Sequence, residues 1–179
     1  MKQVIPSWAK FGERSFATVS PRRCPPTMSG TMAQPFYPRS GHPLAMRYEN
    51  LEHTADVMIK AHGSTLKECF ENAAFGMVDQ IVDVSKVVPR ERVDISVEGD
   101  SLEDLLYNFL SEVLFTFDAK GQVLGQFDAT ILKGRLSCQA WGERFDPEKH
   151  APKQEIKAVT YHMLQVNEKE PSVTVLFDV

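Results

Sequence analysis

Two acidic clusters bracket the part of this chain that could do chemistry: Glu52-His53-Thr54-Ala55-Asp56, and Phe177-Asp178-Val179 at the end of the sequence. A chain terminus is itself a carboxylate, so Asp178 and Val179 offer two anionic oxygen sites one residue apart. A fold that brings Asp56 beside them gathers three hard oxygen donors, the kind of set that Ca²⁺ or Mg²⁺ takes. Singly, each has an ordinary use. Asp56 reads equally as a turn or N-cap carboxylate, and Asp178 as a solvated residue of a fraying end. Val173, Val175 and Phe177 are, however, apolar enough to pin that end into a sheet. Carboxylates held there, even partly buried, need a counter-charge from a cation or a lysine.

The segment Lys157-Ala158-Val159-Thr160-Tyr161-His162 is the rival source of that charge. As a strand it puts Lys157, Val159 and Tyr161 on one face and Ala158, Thr160 and His162 on the other. Lys157 can orient the carboxylates or meet a phosphate, or it can be a solvated strand residue. His162 can buttress a ligand or be a satisfied edge histidine. His53 suits a supporting hydrogen bond better than direct ligation, since calcium and magnesium prefer oxygen. Zinc held by His53, Asp56 and His162 is chemically allowed. The HxxD spacing, however, lacks the i, i+4 helical repeat of HExxH. The sequence contains no P-loop, GxGxxG, GxSxG or Cys/His nucleophile arrangement. These residues describe a metal-bearing participant in phosphate chemistry rather than a self-sufficient active site.

The elements that must position them begin at Met46. Residues 1–45 hold seven of the eleven prolines among Ser, Gly, Thr and Arg, and read as a disordered basic extension. Residues 46–179 read as one domain. Val57–Ala61 is a buried strand. Thr65 and Glu68 have capping-box spacing ahead of a helical stripe of Leu66, Phe70, Ala73, Ala74, Met77, Val78 and Ile81. Val93, Ile95 and Val97 alternate with polar residues as a half-buried strand. Ser101 and Asp104 cap a second helix, whose stripe runs from Leu102 to Phe117 and which Gly121 closes. Strands around Phe127–Ile131 and Leu136–Ala140 meet at Lys133-Gly134-Arg135. Gly142–Lys153 reads as a polar surface loop, and strands over Ile156–Met163 and Val173–Phe177 complete the set. The fold class is α+β, two-layer, with two amphipathic helices packed on a mostly antiparallel sheet.

Composition narrows the function. A 42% hydrophobic and 25% charged chain of 179 residues is ordinary for a globular protein, and no stretch approaches a membrane span. Residues 1–45 carry six Lys/Arg against one acid, leaving −9 for the remainder of a chain whose net charge is −4. So acidic a body argues against strong direct nucleic-acid binding, which needs several cations to release counterions. It suits a cation site or a basic partner. Three scattered cysteines, Cys24, Cys69 and Cys138, make neither a disulfide framework nor a zinc knuckle, and point to a reducing cytoplasmic or nuclear setting. The basic N-terminus resembles a mitochondrial presequence in composition, but its prolines oppose an amphipathic helix.

Four segments in this order resemble the archease family: Tyr48–Asp56 with its HTAD, Thr65–Ala74 with its ENAA, Lys157–His162 as KAVTYH, and the terminal Phe177-Asp178-Val179. The resemblance spans Tyr48 to Val179; residues 1–45 have no counterpart in it. It implies an α+β fold and a bound metal, usually described as calcium with Mg²⁺ or Mn²⁺ as alternatives. The implied ligands are Asp56, Asp178 and Val179, with His53, Lys157 and His162 in support. It also implies a non-catalytic activator of an RtcB-type RNA ligase in tRNA splicing, promoting guanylylation of the ligase and multiple turnover, within a complex that includes a helicase in eukaryote-like systems. The alternative reading of the same residues is a stand-alone metal-dependent phosphohydrolase or nuclease.

Overall fold

Apolar residues at helical and two-residue spacing dictate where each element turns inward, and the computed structural model describes residues 46–52 and 56–179. In chain order these are β1 (Tyr48–Leu51), β2 (Val57–His62), α1 (Leu66–Ile81), β3 (Glu91–Glu98), α2 (Leu102–Lys120), β4 (Gln122–Leu132), β5 (Arg135–Arg144), α3 (Pro147–His150), β6 (Ala158–Asn167) and β7 (Ser172–Asp178). The extension over 1–45 lies outside the described residues.

Both long helices start where the sequence says they do. The Thr65 hydroxyl accepts from the Glu68 N–H, while Glu68 reaches back to the Ser64 N–H at 2.7 Å. Ser101 and Asp104 form the full reciprocal capping box. Gly121 ends α2 in the left-handed conformation, φ 65°, which a Cβ would disfavour. Lys133 and Gly134, both at positive φ, make the two-residue turn that joins β4 to β5.

The strands divide into two antiparallel sheets rather than one, ordered β1-β2-β7-β6 and β3-β5-β4. The helices bridge them. α1 packs on β1, β2 and β7 of the first sheet and β4 of the second, and α2 packs on β6 of the first and all three strands of the second. Phe70, Met77, Leu106, Phe109, Leu110, Ile59, Val175 and Phe177 are almost fully buried between them. This confirms an α+β domain of two amphipathic helices on antiparallel strands, refined by the division of its sheet. The sequence reading missed β1, a four-residue strand with polar Glu49 and Asn50 at its centre. It is held by the Tyr48 hydroxyl donating to Asp79 of α1 at 2.6 Å.

The reading of Gly142–Lys153 as a polar surface loop is corrected. β5 continues to Arg144, α3 follows, and Glu143 and His150 are buried. Glu143 and His150 are not solvated but paired with one another. Asp146 N–H donates to His150 Nδ1 at 2.9 Å, so Nε2 carries the proton and faces Glu143 Oε1 at 3.2 Å. Glu143 also accepts from the Val88 N–H at 2.7 Å and from the Lys149 ammonium. Burial pushes this carboxyl up, but Lys149, the Val88 N–H and His150 together overcome it and hold it down at about 2.

A folded-state value below the ordinary 4.5 means that this network stabilises the fold above about pH 4.5, and that the contribution disappears as pH falls toward 2. Glu143→Gln is expected to cost on the order of 3 kcal/mol at pH 7 and to flatten the stability profile between pH 4.5 and 2. Urea unfolding across that range checks it; a variant as stable as wild type at pH 7 contradicts the assignment.

Candidate metal centre

Strand register builds this site. β7 lies inside its sheet, with β2 on one side and β6 on the other. Val57, the first residue of β2, pairs with Phe177, so Asp56, in the bend just ahead of β2, comes to the end of the sheet where Asp178 closes β7. Val175 and Phe177 point into the core, and Asp178 is exposed.

The terminus is fixed from three directions. Val179 packs its side chain against the core. The Lys157 N–H donates to the Asp178 carbonyl at 2.8 Å. The Lys157 ammonium, just ahead of β6, donates to the terminal oxygen of Val179 at 2.6 Å, a short charge-assisted bond. Asp178, Val179 and Lys157 therefore meet at one end of the first sheet, the end at which Asp56 leads into β2.

The other candidates fall elsewhere. His53 lies outside the described residues. His162 is exposed on β6, four residues beyond Ala158, the residue that pairs with Asp178. That is about 13 Å of extended strand, so the register does not bring it to the aspartates. Among the described residues no group of three His, Cys, Asp or Glu side chains is gathered for a metal. Two aspartates and a main-chain terminus would not form such a group. As donors they are all anionic oxygens, which fits Ca²⁺ or Mg²⁺ and not a thiolate- or imidazole-seeking ion.

Sequence reasoning missed the surroundings of Tyr161. Its ring stacks on Tyr107 of α2 with centroids 4.0 Å apart, and its hydroxyl donates to Asp104 at 3.0 Å. The shared face of Lys157, Val159 and Tyr161 was a usable signal for a contact with α2, but nothing in the spacing named the partner.

Fold and site together define a small α+β protein whose last strand, β7, lies inside its sheet. The archease protein family matches residues 48–179. Protein archease of Pyrococcus furiosus is 47% identical over 124 residues, covering 67% of this chain and 87% of that protein. Protein archease of Danio rerio is 37% identical over 142 residues, covering 76% and 88%. A solution structure of a Methanobacterium thermoautotrophicum protein superposes with a TM-score of 0.65 at 30% identity, covering 74% of this chain and 99% of that one. A Thermotoga maritima crystal structure, described as an archease and possible chaperone, shares the fold with a TM-score of 0.51 at 19% identity, covering 73% and 96%. The chain belongs to the archease family.

Removing the ammonium tests how the end is held. Lys157→Met is expected to speed carboxypeptidase release of Val179 about tenfold, the loss of one charge-assisted bond. Equal release rates would show that the ladder and Val179 packing hold the end unaided.

Proposed function

We propose that this protein is a non-catalytic, metal-dependent activator of an RtcB-type RNA ligase in tRNA splicing, promoting guanylylation of the ligase and its repeated turnover, in a complex that includes a helicase in eukaryote-like systems. The observation that carries this reading is that β2 and β7, paired at Val57 and Phe177, bring Asp56 to the end of the sheet where Asp178 lies and where the Lys157 ammonium bonds to the Val179 main-chain oxygen. Membership of the archease family supports it. A setting in the cytoplasm or nucleus is consistent with Cys69 and Cys138 being buried free thiols, and no helix among the described residues is long and apolar enough to cross a membrane.

Asp56, Asp178 and the terminal carboxylate of Val179 are the groups that would hold the ion, most readily Ca²⁺, with Mg²⁺ or Mn²⁺ as alternatives. A divalent cation there would supply charge neutralisation for phosphate oxygens during nucleotidyl transfer. The chain's own residues do the positioning. Like charges brought close repel, and the β2–β7 ladder is what would hold the two aspartates near each other regardless. Lys157 fixes the direction of the terminal carboxylate, so its oxygens are aimed before any partner arrives. The negative body favours approach to the cationic mouth of a protein that binds GTP and RNA ends. The alternative, a phosphohydrolase or nuclease acting alone, needs a base or nucleophile next to the carboxylates. His162, the described histidine proposed for that role, stands four residues away along β6.

Asp56→Ala and Asp178→Ala are each expected to weaken Ca²⁺ binding at least about tenfold and to remove most of the stimulation of ligase guanylylation, with folding retained. Calorimetric titration and a ligase–nucleotide adduct assay, with and without chelator, read the two effects. Wild-type stimulation by either folded variant overturns the role of that carboxylate. Phosphate release or RNA cleavage by the purified protein alone would favour the enzyme reading. A short Gly-Ser extension after Val179 is expected to act like the aspartate variants, because it replaces the terminal carboxylate with an amide; full activity of the extended chain contradicts the use of that group.

A further inference from the structure

The last turn of α1 gathers two segments that lead into the metal centre. Asn72 donates to the His62 carbonyl at 2.6 Å and Gly76 lies against Ile59, so the helix runs back along β2 and ends toward the side where Asp56 enters the sheet. A helix leaves its last four carbonyls without partners of its own, and α1 has no basic residue in its last turn. Lys153 supplies both a donor and a charge from a distant part of the chain. Its N–H donates to the Ile81 carbonyl at 2.8 Å, and its ammonium donates to the Asp79 carbonyl at 2.6 Å and to Asp79 Oδ1 at 2.9 Å. Asp79 Oδ2 accepts from the Tyr48 hydroxyl of β1 at 2.6 Å, and the neighbouring Gln80 amide donates to Asn50 of β1 at 3.1 Å. Burial, and then Asp79, push the ionisation of that hydroxyl up, so Tyr48 stays a donor. Its ring lies across Gly76, where a Cβ would come within 2.9 Å of it. Glycine is unfavourable inside a helix, and here it makes room for the ring.

We propose that Asp79 is a positioning residue of the metal centre, holding both approaches to it through Tyr48 and Lys153. The proposal rests on the metal-dependent reading above. Lys153 stands four residues ahead of Lys157, whose ammonium bonds to the Val179 main-chain oxygen, and the stretch between them has no regular structure. Asn50 stands six residues ahead of Asp56, on an edge strand of four residues. These two approaches have the least secondary structure of their own, and one carboxylate bonds to both. A cation site built from anionic groups must hold like charges together before the ion arrives. Its affinity therefore depends on how firmly the bonds behind the ligands hold them. Asp79 acts at that level, through the segments it ties to one helix turn.

The full chain is used, with Ca²⁺ alone as the probe and melting temperature measured on the same samples. Lys153→Met keeps the side-chain stem and the backbone bond to Ile81 and loses only the ammonium. It is expected to bind Ca²⁺ about tenfold more weakly in calorimetric titration, and Lys153→Arg to recover most of that affinity. Asp79→Asn and Tyr48→Phe, which keeps the ring over Gly76, are expected to weaken Ca²⁺ binding by a similar factor. A metal-free readout separates positioning from general stability. The Lys157 amide, bonded to the Asp178 carbonyl, is expected to exchange with deuterium about tenfold faster in Lys153→Met, while the Phe109 and Leu110 amides of α2 exchange as in wild type. Faster exchange at all three amides, or a lower melting temperature with Ca²⁺ affinity unchanged, makes Asp79 a general stabiliser and overturns the proposal. Wild-type Ca²⁺ affinity in folded Lys153→Met and Asp79→Asn also overturns it, and leaves the metal reading intact. A wild-type chain that takes up no Ca²⁺ overturns the metal reading and the proposal together.

Discussion

The structure depends on one constraint: β7, the last strand, lies inside its sheet. β7 takes hydrogen bonds from β2 on one side and β6 on the other, and Phe177, two residues from the terminus, is fully buried. Terminal residues usually fray because nothing offsets the entropy of ordering them. Here Val173, Val175 and Phe177 provide the apolar burial, and both ladders satisfy the backbone. The consequence is electrostatic. The main-chain oxygen of Val179 takes a defined position, with the Lys157 ammonium as its partner.

The rest of the fold reads as support for that arrangement. α1 packs across β1, β2 and β7 and so holds the strand that presents Asp56 against the strand that presents Asp178. The polar ties of β1 to α1 through Tyr48 and Asp79, joined by the Lys153 ammonium at 2.9 Å, anchor the outer edge of the same sheet. At the opposite edge, β6 bulges where its pairing with β7 slips between Thr160 and Gln165, and α2 stiffens it through Tyr107 and Asp104. Leaving a methionine, Met163, at positive φ opposes stability. Such local conflicts with the folding rules tend to mark places where another requirement is met.

Much of this was legible in the residues. The two helices, their caps and their closing glycine follow from periodicity and from Thr65, Ser101 and Gly121, signals that act within one turn of chain. What could not be read was adjacency. Nothing in the spacing of the strands says that β7 inserts between β2 and β6, and that order brings the start of β2 to the end of β7. The division into two sheets was hidden for the same reason, since strand pairing is a non-local choice. β1 escaped because four residues with a polar centre carry no periodic signal. Glu143 and His150 escaped because a buried polar pair has the composition of a loop. The β6 bulge was invisible because the KAVTYH alternation continues straight through the place where the pairing slips.

The account turns on an ion held where the terminus meets Asp56, and paramagnetic NMR tests that most directly. Substoichiometric Mn²⁺ added to labelled full-length protein is predicted to broaden first the amide signals of Asp56, Val57, Lys157, Asp178 and Val179, with Ca²⁺ in excess restoring them. Broadening that begins instead at the acids of the first turn of α2, or that spreads evenly over the surface, would contradict the account.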